Sequence, residues 1–335
     1  MSSLKSKLII WSVQNRHLFK FRLKSQVITP ETSTVQLRQT FEAEANKFGG
    51  IPAGIQATPV SIPGLPAGLS AEWIHPETGP AAPAAADRAI FYTHGGGYVT
   101  GSCVDHRMHV AKFVLATGVG ALLYDYRLAP EHPFPAAMDD TLTAYRWLLE
   151  QGVAAKNVVI VGESAGAGLC LASLVAIRDE GLPLPAAGVA LSPWTDLTCS
   201  GGSYVTNARR DISLINSWNV WSKYYTGDND PRHPWISPRY ADLHGLPPVL
   251  IEVGDHEILL DDSLGFAEKA RAAGVDMRLH VWEGMVHCFP LFAPAFPEAT
   301  QAWEEVIAFI GERLPAGESR SASQLSESFS PVPAS

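Results

Sequence analysis

One stretch in the middle of the chain constrains the fold more than any other, the run Val158-Val159-Ile160-Val161-Gly162-Glu163-Ser164-Ala165-Gly166. Its four consecutive β-branched residues predict a strand buried on both faces, as in a parallel sheet. The strand runs directly into Gly-x-Ser-x-Gly, and a helical pattern from Ala165 to Asp179 follows. Strand, sharp turn and helix are the context in which this pentapeptide presents a reactive serine, here Ser164. A chance match in a glycine-containing chain is the alternative, which this placement disfavours.

The two glycines of the pentapeptide have a steric reason. A turn this tight holds its central residue in a strained conformation, and side chains at the flanking positions would collide with neighbouring backbone. We therefore expect the Ser164 hydroxyl to stand clear of the sheet.

The chain is long for one average domain, but α/β folds with a single sheet reach this length. The chain has 335 residues, of which 46% are apolar and 18% charged, so it can bury a large core. A net charge of −9, without a basic patch interleaved with aromatics, argues against nucleic-acid binding. The four cysteines are scattered with no Cys-x-x-Cys pair, which predicts neither a zinc site nor a disulfide framework and favours a cytoplasmic location.

The first 40 residues are basic, with seven Lys and Arg against the single acid Glu31. Their apolar run is too short for a secretory signal, and no run in the chain is long enough for a membrane span. Two readings remain: helices over Leu4 to Leu23 and Thr34 to Phe48 that pack as a lid, or a basic helix in peripheral contact with an anionic membrane. We favour the lid, because apolar residues at helical spacing need cover, namely Leu37, Phe41, Ala45 and Phe48.

A second motif follows the predicted strand Arg88 to Thr93. It is the glycine loop, which we define as His94-Gly95-Gly96-Gly97-Tyr98. Glycines let backbone N–H groups approach an oxygen that gains negative charge, so a loop of this kind upstream of a reactive serine predicts an oxyanion hole. We assign the donors to Gly96, Gly97 and Ala165, and expect His94 to order the loop. A merely flexible glycine loop is the alternative.

The chain resembles the hormone-sensitive lipase family of α/β-hydrolases over roughly residues 70 to 312. The resemblance rests on His94-Gly95-Gly96-Gly97, on Tyr126-Arg127-Leu128-Ala129-Pro130-Glu131-His132-Pro133-Phe134-Pro135-Ala136-Ala137 and on Gly162-Glu163-Ser164-Ala165-Gly166. It implies a mostly parallel central sheet flanked by helices, with a helical cap. One departure is visible, since the family often has Asp where this chain has Glu163.

Chain order in this fold places the acid of a catalytic triad after the serine and before the histidine. Two candidates follow the predicted strand Val249 to Val253. Asp255 comes directly after the strand, whereas Glu257 fits the family's spacing of a leucine and paired acids. We favour Glu257 and expect Asp255 to be a capping or loop residue.

The general base is predicted to be His287. It follows the last clear strand, Met277 to Trp282, and the family's His-x-Phe pattern matches His287-Cys288-Phe289. We expect Cys288 to be only a neighbour.

Four charged residues between the motifs are expected to hold loops in place rather than to react: Arg127, Glu131, Asp140 and Asp196.

The predicted domain organisation has four parts. Residues 1–50 form an N-terminal cap segment, residues 51–202 and 247–315 the catalytic α/β domain, and residues 316–335 a disordered tail. Residues 203–246 are irregular and rich in aromatics between two sheet strands, which suits a cap insertion over an apolar pocket. The segments 49–66 and 79–87 are rich in Gly, Pro or Ala and predict linkers and exposed turns between short strands.

These residues together predict a serine carboxylesterase that cleaves short- to medium-chain esters of small molecules through an acyl-enzyme. The mechanism requires no metal and no organic cofactor. Lactone, amide or thioester hydrolysis, or acyl transfer to an alcohol, would use the same triad. A non-catalytic small-molecule receptor on this scaffold is the other alternative, and a homodimer is left open.

Overall fold

The computed structural model describes residues 2–15, 27–45, 50–213 and 216–315. The strands of these ranges are β1 (Ile55–Pro59), β2 (Ala71–Pro76), β3 (Ala89–Thr93), β4 (Ala121–Tyr124), β5 (Val158–Glu163), β6 (Ala187–Leu191), β7 (Val249–Gly254) and β8 (Met277–Trp282). The helices are α1 (Leu4–Gln14), α2 (Thr34–Ala45), α3 (Cys103–Thr117), α4 (Ala136–Glu150), α5 (Ala165–Asp179), α6 (Ser203–Thr206), α7 (Ser217–Thr226), α8 (Leu260–Ala272) and α9 (Pro297–Arg313).

The strands form one sheet in the order β1-β2-β4-β3-β5-β6-β7-β8. Only the pairs β1–β2 and β2–β4 are antiparallel, and the neighbours from β4 to β8 are all parallel. The predicted mostly parallel sheet flanked by helices is therefore confirmed. The carboxyl ends of its parallel strands meet at one rim, where α/β sheets bind their ligands.

Helices cover both faces of the sheet. Successive side chains of a strand point to opposite faces, so each strand contributes to both cores. In β5, Val158 and Ile160 pack into the core beneath α4, α5 and α8, whereas Val159 and Val161 pack beneath α3 and α9. This double burial explains why β5 appears in the sequence as an unbroken apolar run rather than as an alternating one.

Two groups of elements lie over the carboxyl rim. Arg38 of α2 donates to the Val99 carbonyl at 2.7 Å and pairs with Glu131 at 2.7 Å. The segment between β6 and β7 contains α6 and α7, and Tyr225 of α7 stacks on Tyr98 with 3.7 Å between ring centroids. Both contacts attach these elements to the glycine loop or to the chain that follows it.

Helix α1 packs elsewhere, against the segment that follows β8. Its Ile10 joins a small apolar cluster with Met285, Val286 and Phe289. At its start, the Ser3 hydroxyl donates to Glu298 at the beginning of α9. Helix α1 thus covers the chain on either side of His287.

The predicted elements of the central domain agree with the structure to within one or two residues at most ends. The segment 49–66, expected to hold linkers and turns, contains the edge strand β1. The predicted N-terminal helices begin where expected, but residues 16–26 and 46–49 and the tail 316–335 lie outside the described residues. None of the helices described is long and apolar enough to cross a membrane.

We predict that Gly166→Ala destabilises the fold. The added Cβ would lie 2.1 Å from the carbonyl oxygen of Thr93 and 2.3 Å from that of His94, and backbone atoms cannot rotate away. We expect urea unfolding to show a loss of about 1–3 kcal/mol in the free energy of unfolding.

Gly311→Ala in α9 is the matched control. A Cβ at Gly311 meets no atom within 4 Å, so this change should be neutral or stabilise the helix by up to about 1 kcal/mol. Equal unfolding midpoints for the two variants would contradict the close packing of α5 on β3.

Candidate active site

Ser164 lies in the sharp turn between β5 and α5. Its backbone has φ 56° and ψ −124°, a combination that costs a non-glycine residue about 1–3 kcal/mol. The Ser164 N–H donates to the Leu191 carbonyl at 2.8 Å, which ties the turn to β6. A Cβ at Gly162 would lie 2.4 Å from the Gly166 carbonyl oxygen, so the flanking glycines are sterically required.

The structure brings His287 to this serine. His287 belongs to the loop after β8, and its Nε2 lies 2.9 Å from Ser164 Oγ. Its Nδ1 lies 3.0 Å from Glu257 Oε2. Ser164, His287 and the favoured acid Glu257 therefore form one continuous chain of hydrogen bonds at the carboxyl rim.

Glu257 is fully buried and both of its carboxylate oxygens are held. Oε1 accepts hydrogen bonds from the Ser192 hydroxyl at 2.8 Å and from the Gly254 N–H at 2.6 Å. Asp255, the other candidate acid, accepts the N–H of Gly284 at 2.6 Å instead. The Glu257 carboxylate thus contacts the imidazole of His287. The Asp255 carboxylate instead holds the start of the loop after β8, which carries His287.

The ionisation states of Glu257 and His287 depend on each other. Burial raises the pKa of Glu257, and its contact with His287 opposes that rise. Burial alone would lower the pKa of His287, but the adjacent Cys288 sulfur and the Glu257 carboxylate raise it well above its ordinary value of 6.5. The carboxylate therefore makes His287 a stronger base than a free imidazole.

Ser192 is a member of the site that sequence reasoning missed. Its hydroxyl donates to Glu257 and accepts the N–H of Cys288 at 2.9 Å, so it connects the acid to the loop carrying the histidine. Ser192 has a positive φ of 52° directly after β6. Its position at the end of a predicted parallel strand was the available signal, because all such ends share one rim.

The glycine loop faces Ser164 and lines the same cavity. Gly96 and Gly97 have φ of 110° and 66°, which other residues rarely adopt. A Cβ would lie 2.2 Å from the Thr100 carbonyl oxygen at Gly96 and 2.1 Å from the Trp221 ring at Gly97. Within the described chain, the N–H groups of Gly96, Gly97 and Ala165 donate to no other residue.

His94 and the other predicted loop residues make structural contacts. The His94 ring stacks on Tyr126 with 4.1 Å between centroids, and its Nδ1 lies 2.8 Å from the Gly95 carbonyl oxygen. Arg127 pairs with Asp140 at 2.8 Å. Asp196 is fully buried and accepts the N–H of Thr198 at 2.9 Å.

The cavity in front of Ser164 has a volume of about 360 Å³ and is mostly apolar. Its polar wall is the glycine loop with Thr100, His106, His109 and Glu163. The apolar wall comes from both the central domain and the elements above the rim; it includes Phe41, Trp194, Ile212, Trp218, Trp221, Ile258, Leu259 and Leu291. The sequence indicated an apolar pocket but did not identify these residues.

One group in the described part of the chain has the residue types of a metal site, and it lies away from the cavity. Glu252 of β7, His280 of β8 and Glu305 of α9 bring their side chains together. His280 Nδ1 is 3.0 Å from Glu252 Oε1 and also contacts Glu305. Glu252 and Glu305 both contact His280 Nδ1 and raise the pKa of His280, so an imidazolium paired with both carboxylates at one nitrogen accounts for this arrangement.

Comparison with known proteins identifies the architecture. A family model described as the alpha/beta hydrolase fold matches residues 90–291. The chain is 42% identical to an acetyl-hydrolase of Streptomyces hygroscopicus over 242 residues, which are 72% of this chain and 79% of the relative.

Solved structures agree with this result. The chain is 39% identical to an esterase from the bacterial hormone-sensitive lipase family, with a TM-score of 0.81 over 94% of this chain and 99% of the other. The same identity and TM-score relate it to EstE5 soaked with p-nitrophenyl butyrate, over 94% of this chain and all of the other.

We predict that Glu257→Gln lowers kcat by about 10²–10⁴-fold, because an amide no longer favours the required tautomer and cation of His287. Asp255→Asn keeps an acceptor for the Gly284 N–H and should cost less than about tenfold. Steady-state kinetics of the two purified variants makes the comparison. The reverse ranking would transfer the role to Asp255.

The pH dependence follows from the raised pKa of His287. Proton transfer from Ser164 needs a neutral imidazole, so kcat/KM should rise with pH through a midpoint above 6.5. Glu257→Gln removes the charge that stabilises the imidazolium, and the midpoint should move to lower pH in its residual activity. An unshifted midpoint in a pH–rate profile would be inconsistent with the Glu257–His287 contact.

Proposed function

The chain belongs to the hormone-sensitive lipase family of α/β-hydrolases, and on that premise we propose that Ser164, His287 and Glu257 are the catalytic triad of its carboxylesterase activity. The observation that carries the proposal is the continuous contact from the serine oxygen through both imidazole nitrogens to a buried carboxylate, at 2.9 and 3.0 Å. Nucleophile, base and orienting acid are thereby joined in the order that serine hydrolases require.

The proposed reaction begins when Ser164 Oγ attacks the ester carbonyl carbon. His287 Nε2 takes the hydroxyl proton, and the charge moves to the carbonyl oxygen. The N–H groups of Gly96, Gly97 and Ala165 hold this oxyanion without reorganising, because the loop and the helix start are already fixed. The tetrahedral intermediate then collapses, His287 protonates the departing alcohol, and the acyl group remains on Ser164.

A water molecule completes the cycle. It attacks the acyl carbon while His287 takes its proton, and the second tetrahedral intermediate expels Ser164 as the proton returns to Oγ. Glu257 stays ionised and stabilises the imidazolium in both halves. Every proton is thus transferred at one nitrogen, His287 Nε2.

The substrate class is inferred from the cavity. A volume of about 360 Å³ is near the lower end of the range for small-molecule sites, and the apolar wall suits an acyl chain of short to medium length. We assign the cap to the N-terminal segment and to residues 203–246, because Phe41 of α2 and Trp218 and Trp221 of α7 supply part of that wall. Lactone, amide and thioester hydrolysis and acyl transfer remain alternatives on the same triad.

We also infer a cytoplasmic location and favour the lid for the N-terminal segment. All four cysteines are unpaired, which is typical of a reducing compartment. The packing of Ile10 against Val286 and Phe289 supports attachment of α1 to the catalytic domain over membrane contact, and Phe41 of α2 at the cavity supports the lid. The contact between His287 and Ser164 supports an enzyme over a receptor that has lost its base.

The test uses p-nitrophenyl esters from acetate to palmitate together with a fluorophosphonate probe. We expect the short and medium esters to be cleaved fastest, and Ser164→Ala to lose about 10³-fold or more in kcat and all labelling by the probe. Ser173→Ala is the matched control, since Ser173 lies in α5, the helix that follows Ser164, and its hydroxyl donates to the Leu169 carbonyl at 2.6 Å. Full activity in Ser164→Ala would overturn the assignment, and a preference for palmitate would contradict the short-chain pocket.

A further inference from the structure

Glu163, the residue before the nucleophile, joins the glycine loop to α3. It is the last residue of β5 and is 4% exposed. Its Oε1 accepts the Gly95 N–H at 2.6 Å and lies 2.9 Å from His106 Nε2. One carboxylate oxygen therefore holds both the backbone of the loop and an imidazole of the neighbouring helix.

His106 is fixed on its other side as well. Its Nδ1 lies 2.6 Å from Asp105 Oδ1, and the same oxygen accepts the Ser102 N–H at 2.7 Å. The ring is thus held between two carboxylates, one in the first turn of α3 and one at the end of β5. Both ring nitrogens face acceptors, which requires a proton on each of them.

The electrostatics agree with this geometry. Burial disfavours the charged form of His106, but Glu163 and Asp105 raise its pKa well above 6.5. Burial likewise would raise the pKa of Glu163, yet His106 lowers it below 4.5. The neighbouring rings stay neutral, because burial and the charge of His106 lower the pKa of His94, and lower that of His109 to about 4.

This arrangement bears on the oxyanion because Glu163 is a negative charge at the wall of the cavity, next to Ser164. An uncompensated carboxylate there would oppose the negative charge that develops on the carbonyl oxygen. Resting on the function proposed above, we propose that His106 is a positioning residue. It pairs with Glu163, keeps that carboxylate on the Gly95 N–H and neutralises it beside the oxyanion hole.

The proposal is tested by a double-mutant cycle with H106Q, E163Q and the double variant, using p-nitrophenyl butyrate. H106Q leaves the Glu163 charge unpaired, so kcat should fall about 10–100-fold while KM changes by less than about threefold. E163Q keeps an oxygen for the Gly95 N–H and removes the charge, so it should retain at least about a fifth of the wild-type kcat. The double variant should be at least about fivefold faster than H106Q, because the unpaired Glu163 charge at the cavity wall is gone and Asp105, which keeps its charge, does not line the cavity.

His280→Gln is the matched control. Nδ1 of His280 also contacts two carboxylates, one of them buried, but His280 does not line the cavity. Thermal unfolding should show that both His→Gln changes lower stability, whereas only H106Q should lower kcat. A double variant no faster than H106Q, or equal kcat in H106Q and His280→Gln, would overturn the proposal.

The outcome does not depend on H106Q folding well. If that variant is insoluble, E163Q alone decides: at least about a fifth of the wild-type kcat supports the proposal, and a larger loss overturns it because the carboxylate is then required rather than merely neutralised. Wild-type turnover and labelling of Ser164 test the carboxylesterase function separately. An active wild type with a fully active H106Q would therefore reject only the role of His106.

Discussion

The site depends on how closely the helix after Ser164 approaches the neighbouring strand. Gly166 leaves no room for a side chain against the carbonyl oxygens of Thr93 and His94, and the Thr93 hydroxyl donates to the Gly166 carbonyl at 2.8 Å. This contact holds the turn that raises Ser164 above the sheet, and it sets the distance between the start of α5 and the glycine loop. The nucleophile and the proposed oxyanion donors are therefore positioned by the same packing of β3, β5 and α5.

Three buried carboxylates, two in strands of the sheet and Glu257 in the turn after β7, are each paired with an imidazole. Glu257 lies 3.0 Å from His287, Glu163 lies 2.9 Å from His106, and Glu252 lies 3.0 Å from His280. The pairing is expected, since a buried ionised carboxylate is costly without a partner. What differs is how the nitrogens of each ring are used: Nε2 of His287 faces the Ser164 hydroxyl, each nitrogen of His106 faces one carboxylate, and Nδ1 of His280 contacts both of its carboxylates. Of these three rings, only that of His287 has its second nitrogen against a serine hydroxyl.

Much of this could be predicted from the sequence, for a physical reason. The continuous apolar run of β5 and the glycines around Ser164 are local signals, and the parallel topology then brings all strand ends to one rim, which makes the chain order of Ser164, Glu257 and His287 informative. Ser192 and His106 were missed because their roles depend on contacts with residues far away in the chain. The residues of the cavity wall could not be predicted from the sequence either, since the irregular segment 203–246 has no periodicity from which its packing could be derived.

The contact between Trp221 and Gly97 has a consequence for altering this protein. The indole of α7 rests directly on the loop backbone, where even one added carbon would lie 2.1 Å from the ring. The Trp221 ring that lines the cavity thus also supports the backbone of Gly97, one of the proposed oxyanion donors. A substitution at position 221 is for this reason expected to change substrate range and turnover together. A variant that enlarges the pocket there needs a second substitution that packs against Gly97.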